Sequence, residues 1–314
     1  MRHSRVCSIV ILWLITTGVF TVSSCGDSST GADNPPPSNT SPPPAKKDAE
    51  SEQQVLLELE RLEKEARVAA EAEDWPKTKQ LLGEGLAIIE SQDGKFELQR
   101  ARFLLAEGNM ARERARETEA RRNYADAMAI FHVHKNSRGR FETHIALGKL
   151  ESRRGDYIAA GREFKEAEEL LKDVDDALLK GIFKMEEGRL AAKMVDRQKA
   201  RQHYLEAIRV FETERDKIRL AETLVYLSHE EDGLGNTDQC RRSLDRALAL
   251  YRELKDKEGE ASVLHRLARV AEREKQYKLA RKLLKKVYDL YGELDRTADA
   301  LRVKRHINAL PEED

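Results

Sequence analysis

The sequence predicts an all-α chain, a right-handed superhelical solenoid of about six stacked helix pairs closed by a C-terminal capping helix. Two observations carry that prediction. The first is self-similarity with a forty-residue period. A small residue recurs at Gly108, Gly148, Gly188, Ser228 and Ala268. Twelve residues later stand Ala120, Ala160, Ala200, Cys240 and Ala280. Four further come Tyr124, Phe164, Tyr204, Leu244 and Leu284, then Ala127, Ala167, Ala207, Ala247 and Val287. Identical units at a fixed spacing stack on one another rather than around a single core. The second is composition. Charged residues make up 36% and aromatics only 6%, as expected of an elongated array in which each unit buries a narrow stripe. Net charge is −1, which leaves no global field to draw in nucleic acid.

The N-terminus does not share the period. Arg2, His3 and Arg5 precede an apolar run from Val6 to Val22, followed by Ser23, Ser24 and Cys25. This is the layout of a secretory signal over residues 1–24. Val22-Ser23-Ser24-Cys25 resembles the lipobox of bacterial lipoproteins, and the resemblance implies lipidation of Cys25, which becomes the first mature residue and ties the chain to a membrane. An uncleaved span is the other reading, at the short limit for crossing a bilayer; both place the rest of the chain outside the cytoplasm. Gly26 rather than Asp follows the cysteine, which by the sorting rule of enteric bacteria favours the outer membrane over the inner. In the lipoprotein reading Cys240 is the single remaining thiol, at a small-residue position of the repeat, where a buried apolar role is expected.

Residues 25–48 read as a tether. Six of the chain's eight prolines fall here, in two triplets among Ser, Thr and Asn. Such a stretch cannot form a core and favours extended polyproline II, reaching on the order of 60–70 Å.

From residue 49 to the end the repeats follow. In the third unit apolar residues at three- and four-residue spacing predict helices over Phe141–Arg154 and Tyr157–Leu171, with Gly155 ending the first and Asp156 capping the second. Equivalent breaks stand at Val195-Asp196, Gly235-Asn236 and Lys275-Gln276. Polar turns between units are expected at Asn136–Gly139, Asp173–Asp176, Arg215–Lys217, Lys255–Lys257 and Asp295-Arg296. The small residues are expected to let paired backbones approach, with the bulky Tyr, Phe or Leu filling space toward the next unit.

Leu147-Gly148, Gly155-Asp156-Tyr157, Ala160, Phe164 and Ala167 match the signature of the tetratricopeptide repeat, and the chain resembles that family over about residues 50–292. The other units match with substitutions. Ala115 takes the turn-glycine position of one, and a weaker first unit runs through Ala66, Ala69, Asp74-Trp75 and Leu82. The forty-residue period and the missing terminal proline place it with a longer-helix subclass with polar loops such as residues 253–260. Residues 297–310 read as the cap, exposing Arg302, Lys304, Arg305 and His306.

No dinucleotide fingerprint, P-loop, zinc-protease, serine-hydrolase or CxxC pattern is present. His132 and His134 point to different sides of a helix, and His229-Glu230-Glu231-Asp232 reads as a solvated helix end. The expectation is therefore a protein without catalysis, cofactor or metal. The resemblance implies that the residue after the first small position faces a groove: Arg67, Asn109, Lys149, Arg189, His229 and Arg269. Arg112, Arg153, Lys193 and Arg273 lie nearby, offset by Glu113 and Glu272. A basic stripe suits an acidic protein or peptide partner, although the Lys/Asn/Arg set of the family's carboxylate-clamp members is not reproduced. Joined to a lipobox, the architecture resembles the pilotin lipoproteins of type IV pili and implies an envelope scaffold or assembly factor facing the periplasm. A sensory module recognising a peptide or small ligand is the alternative.

Overall fold

The computed structural model describes residues 44–312, with side chains from Glu50 onward. The signal segment 1–24, Cys25 and the tether up to Pro43 lie outside the described residues. Within them the chain is all-α, and no helix is long and apolar enough to cross a membrane. Thirteen α-helices follow in order: α1 Pro44–Glu71, α2 Trp75–Glu90, α3 Glu97–Glu113, α4 Glu117–Val133, α5 Ser137–Arg154, α6 Tyr157–Leu170, α7 Ala177–Lys193, α8 Arg197–Thr213, α9 Lys217–Gly233, α10 Thr237–Glu253, α11 Lys257–Arg273, α12 Tyr277–Glu293 and α13 Thr297–Ala309. They make six pairs and an unpaired last helix. Helix α1 takes in residues 44–48 of the stretch read as tether; proline is tolerated there because the first helical N–H has no intrahelical acceptor to lose.

Two compact units divide at Gly139 and Arg140. In the first, α1 and α2 close over a core of Leu59, Leu62, Leu82, Ile89 and Phe103. Tyr124 and Phe131 of α4 are fully buried in the same unit. The second holds the pairs from α5/α6 to α11/α12 and the cap α13, whose Ala300 and Val303 are buried. Every position of the four small-and-bulky columns is buried.

The bulky residue does more than fill space toward the next unit. A Cβ added at Gly108 would lie 2.4 Å from the Tyr124 ring, one at Gly148 2.3 Å from Phe164, and one at Gly188 2.6 Å from Tyr204. The ring therefore sits on the small residue of its own pair. Only beyond that does it reach the next pair, as Phe164 does with Phe183 and Tyr204 with Tyr226.

The backbone repeats at half the sequence period. From Ala115 to Asp295 a residue with positive φ closes a helix every twenty residues, at 115, 135, 155, 195, 215, 235, 255, 275 and 295. Residue 175 breaks the series, and there the chain runs through a 3-10 turn (Leu171–Asp173) and buried, extended Val174. Each closure folds back the last carbonyls: Val195 N–H donates to Ala192 O and Asp196 N–H to Ala191 O, and the Asp196 carboxylate then accepts from Lys199 N–H to start α8. Four of the inter-unit turns thus begin one or two residues earlier than the polar runs suggest, at 134–136, 214–216, 254–256 and 294–296, and the connection between α6 and α7 spans 171–176. Gly139 and Gly259 are not turn residues. They lie in the first turns of α5 and α11, where Cβ atoms would strike the Phe131 and Tyr251 rings at 2.3 Å.

Val195 is the costliest of these closures. It holds φ 63° with a β-branched side chain that is 71% exposed, a conformation that costs L-residues roughly 1–2 kcal/mol. Gly155 and Gly235 occupy the equivalent positions without that cost. Val195→Gly is expected to raise stability by about 0.5–1 kcal/mol, the gain being reduced by glycine's freer unfolded chain. Urea unfolding measures it, and a destabilised variant would show that the valine is not strained.

Candidate functional site

The groove column predicted from the sequence divides by depth. In the first unit Asn109 and Arg112 are buried, not presented. The Tyr124 hydroxyl donates to Asn109 Oδ1 (3.0 Å) and accepts from Arg112 Nε (3.2 Å), while Arg112 also pairs with Glu113 (2.8 Å). A buried phenol needs partners, and it takes them from the residues expected in the groove. Arg67 is half-buried and helps offset the buried Glu63 carboxyl. Burial pushes that carboxyl up; Arg102, bonded at 2.5 Å, opposes.

In the second unit the column runs along α5, α7, α9 and α11 and grows more exposed. Lys149 Nζ lies 2.8 Å from Glu186 Oε1, with both side chains almost fully covered. Arg189 pairs with the same carboxylate at 3.2 Å and lies over the Tyr226 ring at 5.5 Å. Tyr226 in turn stacks on Tyr204, centroids 5.7 Å apart. Glu186, set one turn before Arg189 on α7, holds the arginine firmly protonated against the cost of its burial. The first half of this stripe is thus tied internally between helix pairs through one shared carboxylate. His229 and Arg269 are the exposed members; His229 Nδ1 lies 3.0 Å from Glu230 Oε1.

The His229–Asp232 segment is not a solvated helix end. Glu230 and Glu231 are buried and reach back to α8: Arg197 Nη1 bonds Glu230 at 3.1 Å, and Arg201 Nε bonds Glu231 at 2.7 Å. The Asn236 amide also donates to Glu231 at 2.6 Å. Asp232 turns the other way and is bonded by Arg273 of α11.

Between α9, α10 and α11, Asp232 and Arg273 border a cleft of about 100 Å³, reached also by His229, Arg266 and Arg269. Cys240 lies at its base, buried, and burial pushes its thiol up to about 11, so it stays protonated and inert near neutral pH. Arg266 was not singled out in the sequence. Its signal is the repeat column Ala106, Ala146, Glu186, Tyr226, Arg266, which changes chemical class from unit to unit where the buried columns do not. On the cap, Arg302, Lys304 and Arg305 are exposed, but His306 is half-buried and its Nε2 bonds Glu272 Oε2 at 3.1 Å. Among the described residues no group of three or more His, Cys, Asp or Glu is placed to hold a metal ion.

The Tetratricopeptide repeat family matches residues 229–293. Regulatory protein RapG of Bacillus subtilis is 29% identical over 119 residues, 38% of this chain and 33% of its own, so the chain spans about a third of the length of the curated relative it matches. Among solved structures, a Rap protein complexed with Competence and Sporulation Factor is similar with a TM-score of 0.61 and 14% identity, covering 81% of this chain and 75% of that one. RapI in its apo form gives 0.62 and 13% identity, over 82% and 77%. The tetratricopeptide-repeat sensor of a signal transduction ATPase from Pyrococcus horikoshii gives 0.66 and 14%, over 82% and 38%. At these identities the likeness is one of fold: helix pairs of the tetratricopeptide type.

Proposed function

We propose that this chain is a lipid-anchored bacterial envelope protein whose helix pairs hold a protein or peptide partner, acting as a scaffold or assembly factor without chemistry of its own. One observation carries the reading. In the second unit the residue that follows each buried small position passes from internal ion pairs at Lys149 and Arg189 to exposed side chains at His229 and Arg269. The repeat frame there presents polar groups at fixed intervals on consecutive first helices, an arrangement that suits recognition of an extended chain. The lipobox at Cys25 and the proline-rich tether support an anchored location facing the periplasm, at the outer membrane in preference to the inner. Joined to six repeats they also support a pilotin-like role.

The resemblance to a Rap protein that was solved with Competence and Sporulation Factor, and to a tetratricopeptide-repeat sensor, favours the second reading: an extracytoplasmic module that recognises a peptide and transmits its presence. Crosslinking in intact cells followed by mass spectrometry separates the two, since a stoichiometric envelope complex supports the scaffold and a bound short peptide supports the sensor. Cys25→Ala is expected to abolish acyl labelling and leave an unprocessed precursor. Wild-type-like processing and labelling of that variant would remove the lipid anchor.

A further inference from the structure

Arginine is rarely left without an acceptor away from bulk water, because its five N–H donors lose hydration on burial. In the second unit three cations of first helices follow that rule: Lys149 and Arg189 share Glu186, and Arg273 takes Asp232. Arg266 breaks it. Its guanidinium is partly buried in the cleft between α9, α10 and α11, and no carboxylate of the described residues bonds or pairs with it. Burial, and then the charge of Arg269 one turn along, lower its affinity for the proton. The groups that act the other way are the Cys240 thiol and the Tyr226 and Tyr251 phenols. Arg269 reaches the same cleft and likewise has no carboxylate partner among the described residues. Asp232, the acid at the rim, is occupied by Arg273, and Glu230 by Arg197.

We propose that this cleft is a carboxylate-binding site, in which Arg266 and Arg269 together hold an Asp or Glu side chain of the partner. Two adjacent guanidinium groups supply the planar donors that a carboxylate accepts from best. Leu244 of α10 and Val270 of α11 also line the cleft and suit the methylene of an acidic side chain, and a volume of about 100 Å³ admits little more. The assignment rests on the peptide-binding reading above and gives it a chemistry and an address. It also replaces the long basic stripe with a local site: Lys149 and Arg189 belong to the frame, and Arg266 and Arg269 to the ligand.

The test uses the full chain in detergent with two fluorescein-labelled hexapeptides, alternating Ala-Glu and alternating Ala-Gln, at constant ionic strength. The Glu peptide is expected to bind at least tenfold more tightly. Arg266→Gln and Arg269→Gln should each erase that preference while leaving the melting temperature unchanged or raised, because neither side chain holds an internal partner. Arg246→Gln, which removes an exposed partner of Glu212 on α10, should keep it. Glutarate exchanged for chloride at matched ionic strength should raise the melting temperature of the wild type but not of Arg266→Gln. Retention of the Glu preference in both cleft variants, with no glutarate effect, would overturn the site and leave peptide binding standing. A glutarate effect confined to the wild type, with neither peptide bound, would uphold the site and remove the peptide-binding reading. Displacement of the Glu peptide by inorganic phosphate far beyond chloride would overturn the carboxylate assignment in favour of a phosphate ligand.

Discussion

Gly148→Ala is expected to destabilise the protein by about 1–3 kcal/mol, although alanine favours a helix interior by roughly 0.5–1 kcal/mol over glycine. The new methyl would lie 2.3 Å from Phe164 Cε1 and 2.5 Å from Cδ1. Phe164 cannot retreat easily, because its ring is itself held edge-on against Phe183 at 6.1 Å. The chain already contains the answer to this clash. Where the small position is glycine (108, 148, 188), the residue sixteen later is Tyr, Phe or Tyr; where it is Ser228 or Ala268, that residue is Leu244 or Leu284. Glycine with an aromatic and a slightly larger residue with leucine are two ways of filling one volume. Phe164→Leu alone should also destabilise, by leaving space over Gly148 and beside Phe183. The double variant, Gly148→Ala with Phe164→Leu, recreates the Ala268–Leu284 pair and should lose at least 1 kcal/mol less than the sum of the two single losses. Guanidinium unfolding of the four proteins completes the cycle. Losses that simply add, within about 0.5 kcal/mol, would show that the ring and the glycine are not in mutual contact.

The same pairing explains what could be read from the sequence and what could not. Buried columns were legible because a fixed volume at a fixed interval leaves small residues no freedom: Ala120, Ala160, Ala200, Cys240 and Ala280 are all buried as read. Gly139 and Gly259 fall in expected turns by sequence alone because glycine serves both tight turns and close packing. Only the rings of Phe131 and Tyr251 over them decide between the two. The repeat frame alone presents the column after the small residue uniformly, yet its exposure depends on its neighbours. At Tyr124 a hydroxyl must be satisfied and draws Asn109 and Arg112 inward; Phe164 makes no such demand, and Lys149 turns to Glu186 instead. Glu230 and Glu231 looked solvated because the arginines that permit their burial stand about thirty residues earlier, on α8. Charges in such a stack are paired between helices, so their fate is a property of the pair and not of the local run.

Phe183→Ala is expected to cost the most of any change considered, about 3–5 kcal/mol, the usual loss on truncating a buried aromatic. Phe183 is fully buried on α7 and meets Phe141 of α5 at 5.8 Å and Phe164 of α6 at 6.1 Å, both edge-to-face. It is therefore the apolar joint between the α5/α6 pair and the α7/α8 pair. The chain is irregular at that junction, since the twenty-residue closure missing at 175 is replaced by the 3-10 turn and Val174. The Lys149–Glu186 tie crosses the same junction, but its two desolvated ions offset much of their own attraction, which leaves Phe183 as the dominant coupling. In a stack whose stability is a sum of units and nearest-neighbour interfaces, weakening one interface uncouples what lies on either side. The loss should then appear as a second, earlier transition or a reduced denaturant slope, with amide exchange accelerating in α5 and α6 before α9 to α12. A single transition of unchanged slope with a loss below about 2 kcal/mol would show that the two pairs are held together elsewhere, and would move the joint from the aromatic cluster to the ion pairs beside it.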